Sequence, residues 1–242
     1  VEGKKVKTAD LEKVENITLT GSTNGEIKGL EYFTGLKTFN ANAATKITNN
    51  SLDFSANKVL ETLSVTQAED LTEIVLPEPV VTEKDGKEEV TYSLNSLTLS
   101  GTALTSLDLS AQNKLADNGS VVVTQNNNLK EVTVKHGTKF KNTNYTSLDL
   151  SENNLATIDL TNTTIGTLKL NNNHIGALDL SKGTTVTTPN LGIQKLYVAE
   201  KAANVDLDKE VEGLSLFKVE STKSKKYVQD TGEFTLNTDG KE

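Results

Sequence analysis

The stretch from Thr146 to Ser181 decides the fold, and it reads TSLDLSENNLATIDLTNTTIGTLKLNNNHIGALDLS. Triplets with an apolar first and third residue recur there every ten residues, opening at Leu148, Ile158, Leu168 and Leu178. An Asn follows the first and third triplets at one offset, but the other two triplets lack it. The true repeat is therefore about 20 residues long and contains two unlike triplets.

The same alternation runs along nearly the whole chain as two interleaved series. The first series opens at Ile17, Phe39, Leu63, Leu97, Val121, Leu148, Leu168 and Leu196, the last within Leu196-Tyr197-Val198. The second series opens at Leu52, Ile74, Leu107, Val132, Ile158, Leu178 and Val205. In an extended triplet the outer side chains share one face, so stacked triplets bury an apolar face and leave the middle residues in water. The pattern predicts a mostly β repeat solenoid with two short strands per turn and about eight or nine turns.

The segments Leu148–Leu155 and Leu168–Ile175 follow the pattern LxLxxNxL, which resembles the leucine-rich repeat signature. The segment Gly29–Phe39 resembles the opening repeats of internalin-like proteins, and Leu104–Ser110 is similar to short-repeat surface proteins of Bacteroides-type bacteria. The resemblance covers residues 14–207 and implies a right-handed leucine-rich repeat superhelix in an exported bacterial protein. We interpret the Asn of the pattern as structural, because a buried Asn at a turn can bond backbone groups of adjacent coils.

The ends and the irregular connections suggest a domain organisation. We expect an N-terminal cap at 1–14, a solenoid at 15–208, and a last coil with a C-terminal capping hairpin at 209–242. Longer connections at 77–93, 135–145 and 181–192 are interpreted as insertions that emerge on one edge of the solenoid. Within the first, Asp85-Gly86 lies between β-forming residues, which predicts a projecting hairpin at 80–92 with a two-residue turn.

Composition excludes several classes of function. The chain of 242 residues has net charge −8, contains no Cys, Met or Trp, and carries only Lys among its 25 basic residues. An acidic chain without Arg lacks the positive field that attracts nucleic acids. No apolar run approaches the length that spans a bilayer. With His136 and His174 as the only imidazoles, we expect no enzyme and no cofactor.

Carboxylates recur at the middle position of the second series, at Asp53, Asp108, Asp159, Asp179 and Asp206. Neighbouring carboxylates could share a Ca²⁺ ion, but one per turn leaves the ion short of oxygen ligands. An Asp followed two residues later by Ser or Thr more often accepts a local hydrogen bond. We therefore expect no metal site.

The expected function is a non-catalytic binding or adhesion module that recognises a protein partner such as a host surface or matrix. We expect it to be secreted or held at the cell surface. A lipid anchor on an upstream segment is one way in which it could be attached there. The candidate contact residues are the middle residues of the first series and two residues of the hairpin: Asn40, Ser64, Thr98, Asp149, Lys169, Tyr197, Asp85 and Tyr92. A carbohydrate-binding module and a passive spacer remain alternatives, and Tyr92, Tyr145 and Tyr197 are the aromatics that could stack on a sugar.

Overall fold

In a computed structural model, the described residues are 6–19, 24–42, 46–91, 93–112, 119–134, 143–176, 178–195, 204–206, 226–228 and 233–235. Their structure is mostly β, with almost no helix, and parallel coils stack into a β-solenoid of about six turns. In these ranges the helical elements are α1 (Thr8–Leu11) and a 3-10 turn (Leu30–Tyr32).

The main sheet of the solenoid is parallel and contains eight strands, numbered in chain order together with the strands described below. They are β1 (Asn16–Leu19), β3 (Thr38–Ala41), β6 (Thr62–Thr66), β10 (Ser96–Ser100), β12 (Ser120–Thr124), β14 (Thr143–Asp149), β15 (Thr163–Lys169) and β16 (Thr185–Asn190). The opening residues of the first series stand side by side in the order Ile17, Phe39, Leu63, Leu97, Val121, Leu148 and Leu168. Pro189 of β16 pairs with Leu168 at the next position, and Leu196 lies outside the described residues. The six from Phe39 to Leu168 are fully buried, which confirms the inward direction of the outer triplet positions.

Shorter parallel pairs form where the second series passes through the coils. They are β2 (Asn24–Gly25) with β4 (Lys46–Ile47), β5 (Ser51–Asp53) with β7 (Glu73–Val75), and β11 (Ser106–Asp108) with β13 (Glu131–Thr133). Leu52 and Leu107 point into the same core as the main sheet. Phe39 of the main sheet meets Phe54, which follows β5, edge to face with ring centroids 5.0 Å apart.

A ladder of buried amides closes the coils where the chain leaves the main sheet. The Asn173 side chain donates to the carbonyl oxygens of Leu150 at 2.8 Å and Leu170 at 3.0 Å, and its oxygen accepts the Leu155 N–H at 3.0 Å. Asn126 and Asn153 bond the neighbouring coils in the same way. Gln194 continues the ladder one coil further, donating to Leu170 and accepting from Ile175. The structural interpretation of the repeated Asn is confirmed.

Two elements lie outside the parallel stack, a hairpin and helix α1. The hairpin of β8 (Val80–Lys84) and β9 (Lys87–Thr91) is antiparallel, and Asp85 and Gly86 both have positive φ, as a two-residue turn between twisted strands requires. Near the N-terminus, an added Cβ at Gly35 would collide with the carbonyl oxygen of Glu12, so only glycine lets the residues after α1 pack this closely on the first coil.

The structure corrects three assignments near the C-terminal half. The expected insertion at 181–192 contains β16, where Pro189 and Leu191 occupy the outer positions; a proline in place of Leu hid the triplet. The expected insertion at 135–145 overlaps β14, which begins at Thr143. The triplet at Val205 lies in β17 (Asn204–Asp206), which pairs antiparallel with β19 (Glu233–Thr235) instead of stacking in the solenoid. β19 also pairs with β18 (Lys226–Val228).

Candidate functional site

The outward face of the main sheet brings five of the candidate residues into one row. Asn40 pairs with Ser64, Ser64 with Thr98, and Asp149 with Lys169, while Val122 separates Thr98 from Asp149. The row results from register, because each residue is the middle of a triplet whose outer residues are fixed in the core. Tyr197 and Tyr92 lie outside the described residues, and Asp85 is exposed at the tip of the hairpin, away from this row.

Two further rows of small polar residues flank this one on the same face, because residues two apart on a strand share a face. One row precedes the triplets and contains Thr38, Thr62, Ser96, Ser120, Ser147, Thr167 and Thr188. The other row follows the triplets and pairs Thr66, Ser100 and Thr124, and the same two-residue spacing extends it to Asn42, Ser151 and Asn171. A few of their side chains touch across coils, as Thr124 does with Ser100 at 3.3 Å. We call the three rows together the strand face. The sequence contained this signal in the Ser and Thr that flank the triplets.

Asp149 and Lys169 form an ion pair across neighbouring coils of the strand face, with 2.9 Å between Nζ and the carboxylate. Asp149 also accepts the Ser151 hydroxyl at 2.6 Å and the Ser151 N–H at 3.1 Å. Burial alone would raise the pKa of the Asp149 carboxyl, but the bonds from Ser151 and Lys169 hold that pKa below its ordinary value. Asp149 is only 9% exposed, so Lys169 is the more accessible member of the pair.

Four carboxylates of the second series bond to their own turns, and the Asp206 side chain lies outside the described part of the chain. A carboxylate oxygen of Asp53, Asp108, Asp159 and Asp179 accepts the N–H two residues ahead, at 2.8 to 2.9 Å. Bonds from the Ser181 hydroxyl and N–H, with Lys182 at 3.2 Å, lower the pKa of Asp179 to about 2. Val75 and Thr133 pair with Asp53 and Asp108, which interrupts the column. In the ranges described above, no three His, Cys, Asp or Glu side chains are grouped so that they could hold a metal ion.

Tyr145 is not available to stack on a ligand. The sequence leaves it as one of three candidate sugar-stacking aromatics, but in β14 its side chain is only 2% exposed and packs in the core. Burial raises the pKa of the phenol, and the charge of Asp108 adds to this. Tyr32, at the end of the 3-10 turn, is half exposed instead.

A second polar surface lies where the chain turns off the main sheet, and sequence reasoning missed it. The fourth residue after five opening residues of the first series, from Leu63 to Leu168, is left-handed. These residues are Gln67, Gly101, Gln125, Glu152 and Asn172, with φ between 56° and 64°. Gln125, Glu152 and Asn172 line an open cleft of about 530 Å³ together with Asn127 and Lys195. We call this the corner cleft. The only sequence signal is that polar residues recur at a position where a turn favours glycine.

No protein-family model matches the chain, and no curated protein is significantly similar to it. Among the described residues, no helix is both long and apolar enough to cross a bilayer.

Proposed function

We propose that this chain is a non-catalytic binding module of the leucine-rich repeat type, secreted or held at a bacterial cell surface, that recognises a protein partner. The observation that carries the proposal is the strand face, where Asn40, Ser64, Thr98, Asp149 and Lys169 fall in one register row on a continuous parallel sheet. The buried ladder of Asn126, Asn153 and Asn173 supports the repeat class. The proposed superhelix is right-handed, with about eight or nine turns.

The strand face suits a broad contact more than a pocket. Most of its side chains are short, and the strands that carry them are anchored by buried outer triplet residues, so little conformational entropy is lost when a partner covers them. Binding hot spots are usually Trp, Tyr and Arg, which the described strand face does not contain. We therefore expect modest affinity per module and strengthening by multivalent display.

A binding role also agrees with how the carboxylates are used. Those of Asp53, Asp108 and Asp179 accept backbone N–H groups of their own turns, and that of Asp149 is paired with Lys169. At Asp149 and Asp179 such bonds hold the carboxyl pKa below its ordinary value, whereas a general acid needs a raised pKa.

The test is adhesion of the purified chain to a panel of extracellular-matrix proteins immobilised on a biosensor. A double variant, Ser64→Lys with Thr98→Lys, adds bulk and charge to the strand face without touching the core. The matched control is Ser51→Lys with Ser106→Lys, which alters exposed Ser residues of the shorter strands. We expect the first variant to lose adhesion and the control to keep it. Retained adhesion in both, or equal loss in both, would contradict the assignment of the strand face.

The hairpin is the competing contact surface. Of the three expected insertions, it is the one whose described residues lie outside the main sheet. Replacing Val80–Thr91 by a short Gly-Ser linker should leave the melting curve unchanged, because closure entropy varies slowly with loop length. Loss of adhesion in this variant, with adhesion retained in the strand-face variant, would move the site to the hairpin. A chain that binds no panel protein and no sugar would fit the passive spacer instead.

A further inference from the structure

The corner of the solenoid carries polar side chains at positions that the backbone favours for glycine. Gln125, Glu152 and Asn172 each have φ of 59°, within the left-handed region, where an L-residue is strained and glycine is not. Gly101 occupies the equivalent position of the preceding coil with φ 64°, so glycine fits this corner. The backbone does not require a side chain at these three positions. Their side chains are therefore candidates for a role outside the fold.

The three side chains and two others line one open cleft. The corner cleft has a volume of about 530 Å³ and is open to solvent, so it could hold an extended ligand along one side rather than enclose a small molecule. Gln125, Asn127, Glu152 and Lys195 are exposed, and Asn172 is half-buried. Asn126, Asn153 and Asn173 of the buried amide ladder are chain neighbours of lining residues. Hydrogen-bonded coils therefore carry the polar side chains that line the cleft.

The lining residues decide the class of ligand. The amides of Gln125, Asn127 and Asn172 both donate and accept, the Glu152 carboxylate accepts, and the Lys195 ammonium donates. None of the five is apolar or aromatic, so a protein partner would find no pocket for an apolar anchor residue. Each hydroxyl group of a sugar can both donate and accept a hydrogen bond, so it can bond to the amide, carboxylate and ammonium groups of the lining. The charges of Glu152 and Lys195 cancel, which favours a neutral ligand over a charged one.

We propose that the corner cleft binds a neutral oligosaccharide whose hydroxyl groups bond the side chains of Gln125, Glu152 and Asn172. Successive coils lie about 4.8 Å apart, so these side chains form an evenly spaced row along which an extended glycan can lie. Gly101 ends the row on one side because it has no side chain. The site adjoins the strand face, because the Gln125 side chain accepts a hydrogen bond from the Ser100 hydroxyl at 3.4 Å, but it does not depend on the proposed recognition of a protein.

The experiment titrates the purified chain with cellohexaose, mannohexaose and chitohexaose and follows binding by calorimetry and by saturation-transfer NMR. Two variants, Gln125→Gly and Asn172→Gly, remove a lining side chain and relieve the left-handed strain. The matched control is Gln67→Gly, which makes the same change at the same kind of corner (φ 56°) outside the cleft. Melting temperature is measured for every variant.

At least one hexasaccharide should bind, and each cleft variant should weaken its binding by at least tenfold while the melting temperature stays unchanged or rises. Gln67→Gly should bind as the parent chain does. Absence of binding by all three sugars, or equal weakening by Gln67→Gly, would overturn the proposal. So would weakening that occurs only together with a lowered melting temperature. The strand-face variant Ser64→Lys with Thr98→Lys should keep sugar binding, so failure of this site and failure of the protein-binding proposal can be told apart.

Discussion

Replacing Asn173 by Ala tests how much the buried amide ladder stabilises the solenoid. The change removes two bonds donated to the Leu150 and Leu170 carbonyls and one accepted from the Leu155 N–H. The Leu150 carbonyl keeps a second amide donor from Asn153, and the Leu170 carbonyl keeps one from Gln194, so the free-energy cost at each carbonyl is small. The Leu155 N–H loses the bond that the structure gives it.

These losses have a calculable size. Leaving a buried N–H unsatisfied costs about 1–3 kcal/mol, and weakening each shared carbonyl adds about 0.5 kcal/mol. Asn173→Ala should therefore reduce the free energy of unfolding by about 3 kcal/mol. With a urea dependence of about 3 kcal/mol per molar, the midpoint should fall by about 1 M.

The assay is urea unfolding followed by far-UV circular dichroism, with Asn171→Ala as the control. Asn171 lies two residues earlier, and its half-buried side chain points to the strand face, so its removal should cost less than about 0.5 kcal/mol. Equal midpoints for the two variants would refute the assignment of the ladder as a main stabilising feature.

Three further predictions concern the same coils. Leu168→Asp buries a charge in the core and should cost about 4 kcal/mol or more, whereas Lys169→Gln loses one ion pair and should cost about 1 kcal/mol, both measured by urea midpoint. Because the folded pKa of Asp149 lies below its unfolded value, ionised Asp149 stabilises the fold above about pH 4, and this stabilisation is lost as the pH falls through the folded pKa. Asp149→Asn should therefore reduce the fall in melting temperature between neutral and acidic pH. An added Cβ at Gly166 would lie 2.6 Å from the carbonyl oxygen of Thr146, so Gly166→Ala should cost about 1–3 kcal/mol, and an unchanged melting temperature would show that β14 and β15 can separate.

The first-series triplets from Ile17 to Leu168 predicted their strands because each has apolar outer positions in the core. The prediction failed at Thr185–Asn190, where Pro189 stands at an outer position and β-branched Thr and Val supply the strand. It also failed at Asn204–Asp206, whose triplet is as regular as the others but pairs antiparallel. Periodicity describes how one strand divides its side chains between two faces, and it contains no information on which strand will be its neighbour.

The candidate residues of the strand face could be chosen from the sequence, because the middle of a triplet must face away from its buried neighbours. The corner cleft could not be chosen in this way. Gln125, Glu152 and Asn172 come from three coils. They share a surface only because the coils stack in register and each turns through a left-handed residue at the same position of its repeat.

The sequence by itself determined the β-solenoid class, the inward and outward direction of the triplets, and the Asp85-Gly86 turn, since these depend on residues close together in the chain. Tertiary structure alone decided that Gln194 continues the amide ladder, that Tyr145 is core, and that Asp149 pairs with Lys169. The physical reason is that each of these depends on a bond or contact between coils about 20 residues apart. Such a contact exists only after stacking has set the register.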